Sequence, residues 1–249
     1  MKWLASIVLA AVLAGAAPTA SADVLPFGVG EECTFRIGYG VISAGDATLR
    51  VESITEYYGS RVFHIRTRAR SNRFFSAFFK VRDQADSYID ADSLYSRYFA
   101  KHLREGSYKR DVEIHFDHVA RKAYFPDGQE NDIPYGVQDV LSAFFKVRAM
   151  ELVDGDEIAI PTHGDRELYD MRVRVLRRET IDTVLGSQRC VVVQPMLSDE
   201  GLFKHEGDLF VWLTDDARRI PVLMQATIPV GAIEARLTAY TPPTKSGDS

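Results

Sequence analysis

The sequence predicts an all-β fold, mainly antiparallel, in which a curved sheet or an open β-barrel or spiral carries two short helices. Three observations support this prediction. Apolar and polar residues alternate with period two in several segments, turn-forming residues separate those segments, and helical periodicity is confined to two short stretches. Each alternating segment offers one face to a core and one face to water, which is typical of antiparallel sheets.

The strands are predicted from the alternating segments and the turns between them. The clearest alternation covers 45–52, 63–70, 111–116 and 171–175. Glycine-containing turns are predicted at 58–60, 126–128, 154–156 and 185–187. A hairpin is predicted from 209–213 and 220–228, with Asp215 and Asp216 accepting hydrogen bonds from backbone amides in its turn. A last strand is predicted over 232–240.

Two segments are predicted to be helical. An apolar stripe with helical spacing, wide enough to plug a sheet, consists of Val137, Val140, Leu141, Phe144 and Phe145. Asp139 lies near the start of this stripe, where a carboxylate is favourable. The shorter helix begins near Asn72, a candidate N-cap, and includes Phe74, Phe75 and Phe78.

The heptapeptide Ser-Ala-Phe-Phe-Lys-Val-Arg occurs twice, at 76–82 and 142–148. The second copy lies within the predicted helical stripe, whereas the first follows a short Phe-rich turn and leads into a predicted strand. Because the flanking sequences differ, we interpret the copies as two apolar plugs in one curved sheet rather than as an internal duplication.

The N-terminus has the features of a signal peptide. Lys2 precedes an apolar stretch over 3–17, and small residues follow at 20–22, so we predict a signal peptide over 1–22 with cleavage after Ala22. The apolar stretch is shorter than the roughly 20 residues that cross a bilayer, and no transmembrane segment is expected after cleavage. We predict a periplasmic location, with full secretion as the alternative.

The rest of the chain is predicted to be a single β domain over 23–241, followed by a flexible tail over 242–249. The formal net charge of −5 comes from interspersed charges. A nucleic-acid partner normally requires a concentrated basic patch, so none is predicted. Cys33 and Cys190 are the two cysteines, and the sequence leaves open whether they form a disulfide or pack as two buried thiols.

No catalytic residue, metal site or cofactor is predicted. The sequence contains no Gly-x-Ser-x-Gly elbow, no helical zinc motif and no phosphate-binding loop. The segment His115-Phe116-Asp117-His118 is the nearest approach to a metal site, but on a strand His118 points away from the other two polar residues. The adjacent carboxylates of Asp215 and Asp216 are more typical of a turn than of an acid–base pair.

Arginines alternate along one predicted strand. Arg66, Arg68 and Arg70 share one face, which is either an ordinary solvated surface or, if it lines a cleft, a clamp for phosphate or carboxylate head groups. Arg172 and Arg174 form a second pair of this kind.

Three stretches resemble DUF3108, a family of exported bacterial proteins without an assigned function. They are Gly30-Glu31 with 35–45, then 138–148, and finally 211–222 with Pro229-Val230-Gly231. The resemblance implies a curved, open β-barrel similar to those of periplasmic lipoprotein carriers. It implies no activity.

These observations together predict a non-enzymatic periplasmic protein that binds an amphipathic ligand, such as a lipid, an acyl chain or part of a lipoprotein, or that maintains the envelope. Phe144, Phe145 and Trp212 are the predicted apolar wall, and Arg66 and Arg68 are the predicted head-group partners. One alternative is a module that docks on an envelope protein or glycan through a sheet edge. Another is a hydrolase whose catalytic residues are dispersed in the sequence.

Overall fold

The computed structural model describes residues 25–40, 42–196, 208–228 and 231–244. These residues form one sheet of 14 strands, one α-helix, α1 (Val140–Ala149), and one 3-10 turn (Phe75–Ala77). The strands are β1 (Glu32–Tyr39), β2 (Ile42–Tyr57), β3 (Ser60–Ser71), β4 (Arg82–Asp90), β5 (Ser96–Glu105), β6 (Tyr108–Asp117), β7 (Lys122–Tyr124), β8 (Glu130–Asp132), β9 (Glu157–Gly164), β10 (Glu167–Thr183), β11 (Gly186–Met196), β12 (Leu209–Thr214), β13 (Pro221–Ile228) and β14 (Gly231–Thr241).

Every strand pairs antiparallel with its sequence neighbours except at the two edges of the sheet. β1 also pairs with β14, with Cys33 opposite Tyr240, so the first and last strands meet in the middle of the sheet. The edges are β8 and β9, which flank α1 in the sequence. The predicted antiparallel all-β fold is confirmed.

Alternation places side chains on the two faces as the sequence predicts. On β10, Met171, Val173 and Val175 are buried, and Arg172 and Arg174 between them are exposed. Burying each such aliphatic side chain contributes about 1.5–3 kcal/mol. A register slip by one residue would therefore move the arginines into the core and is strongly disfavoured.

The segment that precedes α1 links β9, at one edge of the sheet, to the start of β5. The carbonyl of Val137 accepts a hydrogen bond from Ser96 N at 3.2 Å, and Gln138 N donates to Pro161 O at 2.9 Å. His163 N on β9 donates to Gln138 O at 2.7 Å. The sheet thus curls into an open barrel in which this extended segment connects β9 to β5, while the edge strands β8 and β9 do not pair with each other.

α1 begins at Val140, three residues after the start of the predicted apolar stripe. The carboxylate of Asp139 accepts hydrogen bonds from Leu141 N and Ser142 N at 2.7 and 3.0 Å, and Ser142 Oγ accepts one from Asp139 N at 2.8 Å. This capping box fixes the first turn. The prediction that the helix includes Val137 was wrong, because the carbonyl of Val137 accepts its hydrogen bond from Ser96 N of β5 and not from a helical amide.

The interior is divided into three apolar clusters that meet at α1. Phe145 belongs to the largest, the Phe145 cluster, together with Phe27 and Trp212. Ala143 and Val147 belong to the second cluster, against β9 to β12. The partly buried Leu141 packs against the third. The helix therefore plugs the barrel, as predicted for the second heptapeptide copy.

The first heptapeptide copy behaves differently. It begins in the 3-10 turn between β3 and β4 and exposes Phe78 and Phe79, so its interpretation as a second plug was wrong. The N-terminal cap was predicted correctly, because Asn72 Oδ1 accepts a hydrogen bond from Phe75 N at 2.9 Å.

The predicted signal peptide over 1–22 lies outside the described residues. At the other end, the described residues stop at Thr244, within the predicted tail, and Thr244 N donates to Val29 O at 2.8 Å. Within the described ranges, no helix is both long and apolar enough to cross a membrane.

Candidate functional site

The predicted apolar wall lies inside the barrel. Phe145 is fully buried and makes an edge-on contact with Phe27, their ring centroids 4.7 Å apart. Trp212 is in the same cluster and donates from Nε1 to Glu179 Oε1 at 2.6 Å. Phe144 is partly buried between two clusters. The three side chains therefore support the core.

The predicted head-group partners lie on the opposite face of the sheet. Ile65 of β3 belongs to the Phe145 cluster, and because side chains alternate along a strand, Arg66 and Arg68 point to the opposite, outer face. Arg66 pairs with Asp86 at 2.7 Å and with Glu52 at 3.4 Å. The structure therefore does not bring these arginines together with the aromatic wall.

A cluster of charged groups surrounds Asp86 on this outer face. Burial raises the pKa of the Asp86 carboxyl, but hydrogen bonds from His64, Gln84 and Arg66 outweigh it and bring the pKa to about 2. A cation that is already paired in this way offers little to a ligand. Arg172 and Arg174 are also paired, both with Glu157.

The two cysteines are free thiols in the same apolar cluster. Burial raises the pKa of Cys33 to about 12 and that of Cys190 to about 11. Because the thiolate is the reactive form, both side chains behave as small apolar groups. The structure corresponds to the thiol alternative and not to the disulfide.

The groups considered for catalysis each have a structural role. Asp216 Oδ1 accepts hydrogen bonds from Arg218 N and Thr214 Oγ1 at 2.9 Å, which confirms the predicted turn. Asp215 pairs with Arg178 and Arg219. Across the part of the chain that the structure describes, no three His, Cys, Asp or Glu side chains converge as metal ligands.

A buried ion pair joins stretches that are far apart in the sequence. The guanidinium of Arg148 forms a bidentate contact with Glu31 at 2.8 and 3.0 Å, and Nε donates to Arg219 O at 3.0 Å. The rings of Phe27 and Phe145 lie 5.5 and 5.0 Å from the guanidinium carbon. Arg148 thus connects α1 to Glu31, just before β1, and to the loop between β12 and β13.

His163 is a buried polar residue at the junction of the sheet edges. Its Nδ1 has no hydrogen-bond partner among the described residues, and its Nε2 lies 3.3 Å from Asn131 Nδ2. Burial lowers the pKa of His163 to about 4, while the nearby Asp165 acts weakly in the opposite direction. The imidazole is therefore neutral at pH 7.

This depressed pKa predicts a loss of stability in mild acid. Between the unfolded pKa of 6.5 and the folded pKa of about 4, the unfolded chain binds more protons at His163 than the folded chain. The free energy of unfolding should therefore fall by roughly 3 kcal/mol as the pH drops through this window. Urea denaturation at several pH values measures it. The variant H163Q should lose most of this slope, and an unchanged slope would contradict the assignment.

The most exposed aromatic side chains lie in the segment 70–82 between β3 and β4, named here the aromatic loop. Phe74, Phe78 and Phe79 are 69%, 80% and 53% exposed. Phe74 contacts Phe75 and Phe78 edge-on, with ring centroids 5.8 and 5.6 Å apart. A contiguous group of exposed rings of this kind is typical of an interaction surface.

Cations surround these rings. The aromatic loop contains Arg70, Arg73, Lys80 and Arg82, all exposed, and no acidic residue. Arg82 donates to the carbonyls of Ser71 and Val81. Among the described residues, none of the four cations forms an ion pair. The surface is therefore both apolar and positively charged.

A groove lies beside the aromatic loop, between the sheet and the tip of the β10–β11 hairpin. Its volume is about 410 Å³. It is lined by Arg36, Gly38, Gly40, Ile42, Ser43, Ile181, Asp182, Thr183, Val184, Val222, Glu234, Arg236, Leu237 and Thr238. Asn72 Nδ2 of the aromatic loop donates to Ser43 O at 2.5 Å, so the groove and the loop share a boundary.

Neither surface was predicted as a site. The exposure of the first heptapeptide copy depends on tertiary packing, and the groove depends on the pairing of β1 with β14. The one available signal was the run of four phenylalanines and four cations within 70–82.

A solved structure of low sequence identity agrees with the fold. A β-barrel-like protein of unknown function, DUF1849, from Brucella abortus aligns with a TM-score of 0.55 at 10% identity, covering 88% of this chain and 100% of its own. A DUF1089 protein from Pseudomonas aeruginosa aligns with a TM-score of 0.39 at 16% identity, covering 72% of this chain and 88% of its own. At that score the second adds nothing to the fold assignment.

Sequence comparison gives the family. No curated protein matches the chain. The family model DUF3108, described as a protein of unknown function, matches residues 34–238, which is most of the sequence. The chain belongs to the DUF3108 family.

Proposed function

We propose that this chain is a non-enzymatic, exported envelope protein that binds the surface of an anionic lipid bilayer through the aromatic loop. The observation that carries the proposal is the exposure of Phe74, Phe78 and Phe79 among four cations that form no ion pair with the residues that the structure describes. Export is part of the proposal and is supported by the signal-peptide pattern over 1–22.

The energetics favour a lipid surface over water for this loop. Each phenylalanine that enters the interfacial region contributes about 1.5–3 kcal/mol, reduced by the fraction that is already buried. Each cation near an anionic surface adds about 1 kcal/mol at low salt. The two terms act together because rings and cations are interleaved along one short loop.

Vesicle co-sedimentation tests the proposal. The chain without its predicted signal peptide should sediment with vesicles of phosphatidylglycerol and phosphatidylcholine, and much less with phosphatidylcholine alone. The variant F74S/F78S/F79S should lower the partition coefficient at least tenfold. The variant R70Q/R73Q/K80Q/R82Q should lose binding at low salt, where the attraction of these cations to the vesicle is strongest. At 0.1 M salt the wild type should already bind less tightly, because charges are screened over about 10 Å.

A matched control uses another pair of arginines. The variant R66Q/R68Q removes two cations from β3 that lie next to Asp86 and Gln84, and it should retain vesicle binding. Equal binding of the wild type and the triple phenylalanine variant to anionic vesicles would refute the proposed function.

A further inference from the structure

We propose that the groove beside the aromatic loop binds one single-chain amphiphile with an anionic head group, held between Arg36 and Arg236. This inference rests on the proposed lipid-surface function and assigns a ligand class to the neighbouring groove. A fatty acid and a lysophospholipid-like phosphate share the required chemistry, which is one acyl chain and one compact anion.

The apolar part of the groove fits a hydrocarbon chain. Val222 and Leu237 on its lining are buried members of the Phe145 cluster. Ile42 and Val184 are each about half exposed. The volume of about 410 Å³ lies within the range of roughly 300–1,000 Å³ that small-molecule sites occupy. A chain lying there would cover the exposed parts of Ile42 and Val184.

The head-group position is indicated by two opposed arginines. Arg36 of β1 lies directly opposite Arg236 of β14 in the ladder, and both line the groove. Like charges in this position destabilise a sheet unless a counter-charge lies between them. The carboxylate of Glu234 accepts a hydrogen bond from Arg236 Nε at 2.7 Å and forms a salt bridge with it. Asp46 of β2 lies opposite Arg36 on its other side, but within the described ranges the exposed Arg36 forms no salt bridge.

A compact anion would complete this arrangement. The free N–H groups of two guanidiniums match the geometry of a carboxylate or phosphate, which can accept two hydrogen bonds from each. Asp182 also lines the groove, from the hairpin side, and it would repel an anionic head group. Removing the charge of Asp182 should therefore strengthen the binding of an anion.

The aromatic loop provides a route from a bilayer to the groove. Its Asn72 donates hydrogen bonds to the carbonyls of Ser43 and Ala44 at 2.5 and 2.8 Å, and Ser43 and Ile42 line the groove. The loop that is proposed to contact the bilayer therefore borders the groove directly.

Isothermal titration calorimetry with dodecanoate and dodecyl phosphate, both below their micellar concentrations, tests the site at pH 7.5. The chain without its predicted signal peptide should bind at least one of them, and the two probes separate the carboxylate from the phosphate. R36Q/R236Q should weaken binding at least tenfold, whereas D182N should strengthen it severalfold. The matched variant R66Q/R68Q, on the outer face of β3, should leave affinity unchanged.

Three results would overturn the inference. They are no binding of either probe, equal weakening by R36Q/R236Q and R66Q/R68Q, and weakening by D182N, which would indicate a zwitterionic head group. Circular dichroism of each variant verifies that it is folded. Vesicle binding without probe binding overturns the groove alone, whereas probe binding without vesicle binding overturns the proposed membrane function alone.

Discussion

Replacing Arg148 by Met is expected to lower the free energy of unfolding by about 3–5 kcal/mol. The side chain has no exposed area, and its loss would leave the Glu31 carboxylate buried at 2% exposure. Among the described residues, only the Tyr240 hydroxyl, 3.3 Å away, would still donate to it. Three backbone carbonyls, those of Pro26, Arg218 and Arg219, would also lose a donor. Urea denaturation of the wild type and R148M measures the difference.

The first heptapeptide copy supplies the control. Arg82 occupies the same place in the repeat as Arg148 but is exposed, so R82M should change the free energy of unfolding by less than about 0.5 kcal/mol. The double variant E31L/R148M should recover much of the loss, because it removes both charges of the buried pair. A cost for R148M no larger than that for R82M would contradict the role assigned to the ion pair.

Local patterns in the sequence predict the strands well. The alternation at 171–175 and the turn at Asp215-Asp216 depend on neighbouring residues, and both have the predicted structure. The helix start was misplaced because Val137 bonds to Ser96 on β5, a contact distant in the sequence. Periodicity describes an element and its faces but does not identify the distant strand that competes for its end.

The candidate site depended on such distant contacts and was predicted less well. Phe145 and Trp212 were expected to be neighbours and are, but in a packed core. Arg66 was expected beside them and lies on the other face of β3. The pairing of Arg36 with Arg236 joins the first and last strands, and nothing local to either strand indicates it.

The two copies of the heptapeptide also show that identical residues differ in burial when their distant contacts differ. Lys146 is partly buried, and burial lowers its pKa, whereas Lys80 at the same repeat position is exposed. Asp139 caps the second copy and is itself buried, and burial raises its pKa although Ser87 and Ser96 donate hydrogen bonds to it. The first copy begins in a 3-10 turn at the rim, where no equivalent packing surrounds it.

Replacing Phe145 by Ala is expected to lower the free energy of unfolding by about 3–5 kcal/mol. The ring is 1% exposed, contacts Phe27 and lies 5.0 Å from the guanidinium carbon of Arg148. Its removal therefore leaves a cavity and removes a cation–π contact of the buried ion pair. The equivalent F79A removes a ring that is half exposed and rests on the turn at Gly106, and it should cost less than about 1 kcal/mol.

The same two variants should show the reverse order in vesicle binding. F79A removes one of three exposed rings and should weaken the binding of anionic vesicles severalfold, whereas folded F145A should bind as the wild type does. Denaturant titrations and co-sedimentation on the same samples measure both quantities. If F79A were as destabilising as F145A, or if F145A reduced vesicle binding per folded molecule as much as F79A, the division of one heptapeptide into a buried plug and a lipid-facing loop would be wrong. Since the two copies share every letter, any difference between the variants comes from their flanking sequences and tertiary surroundings.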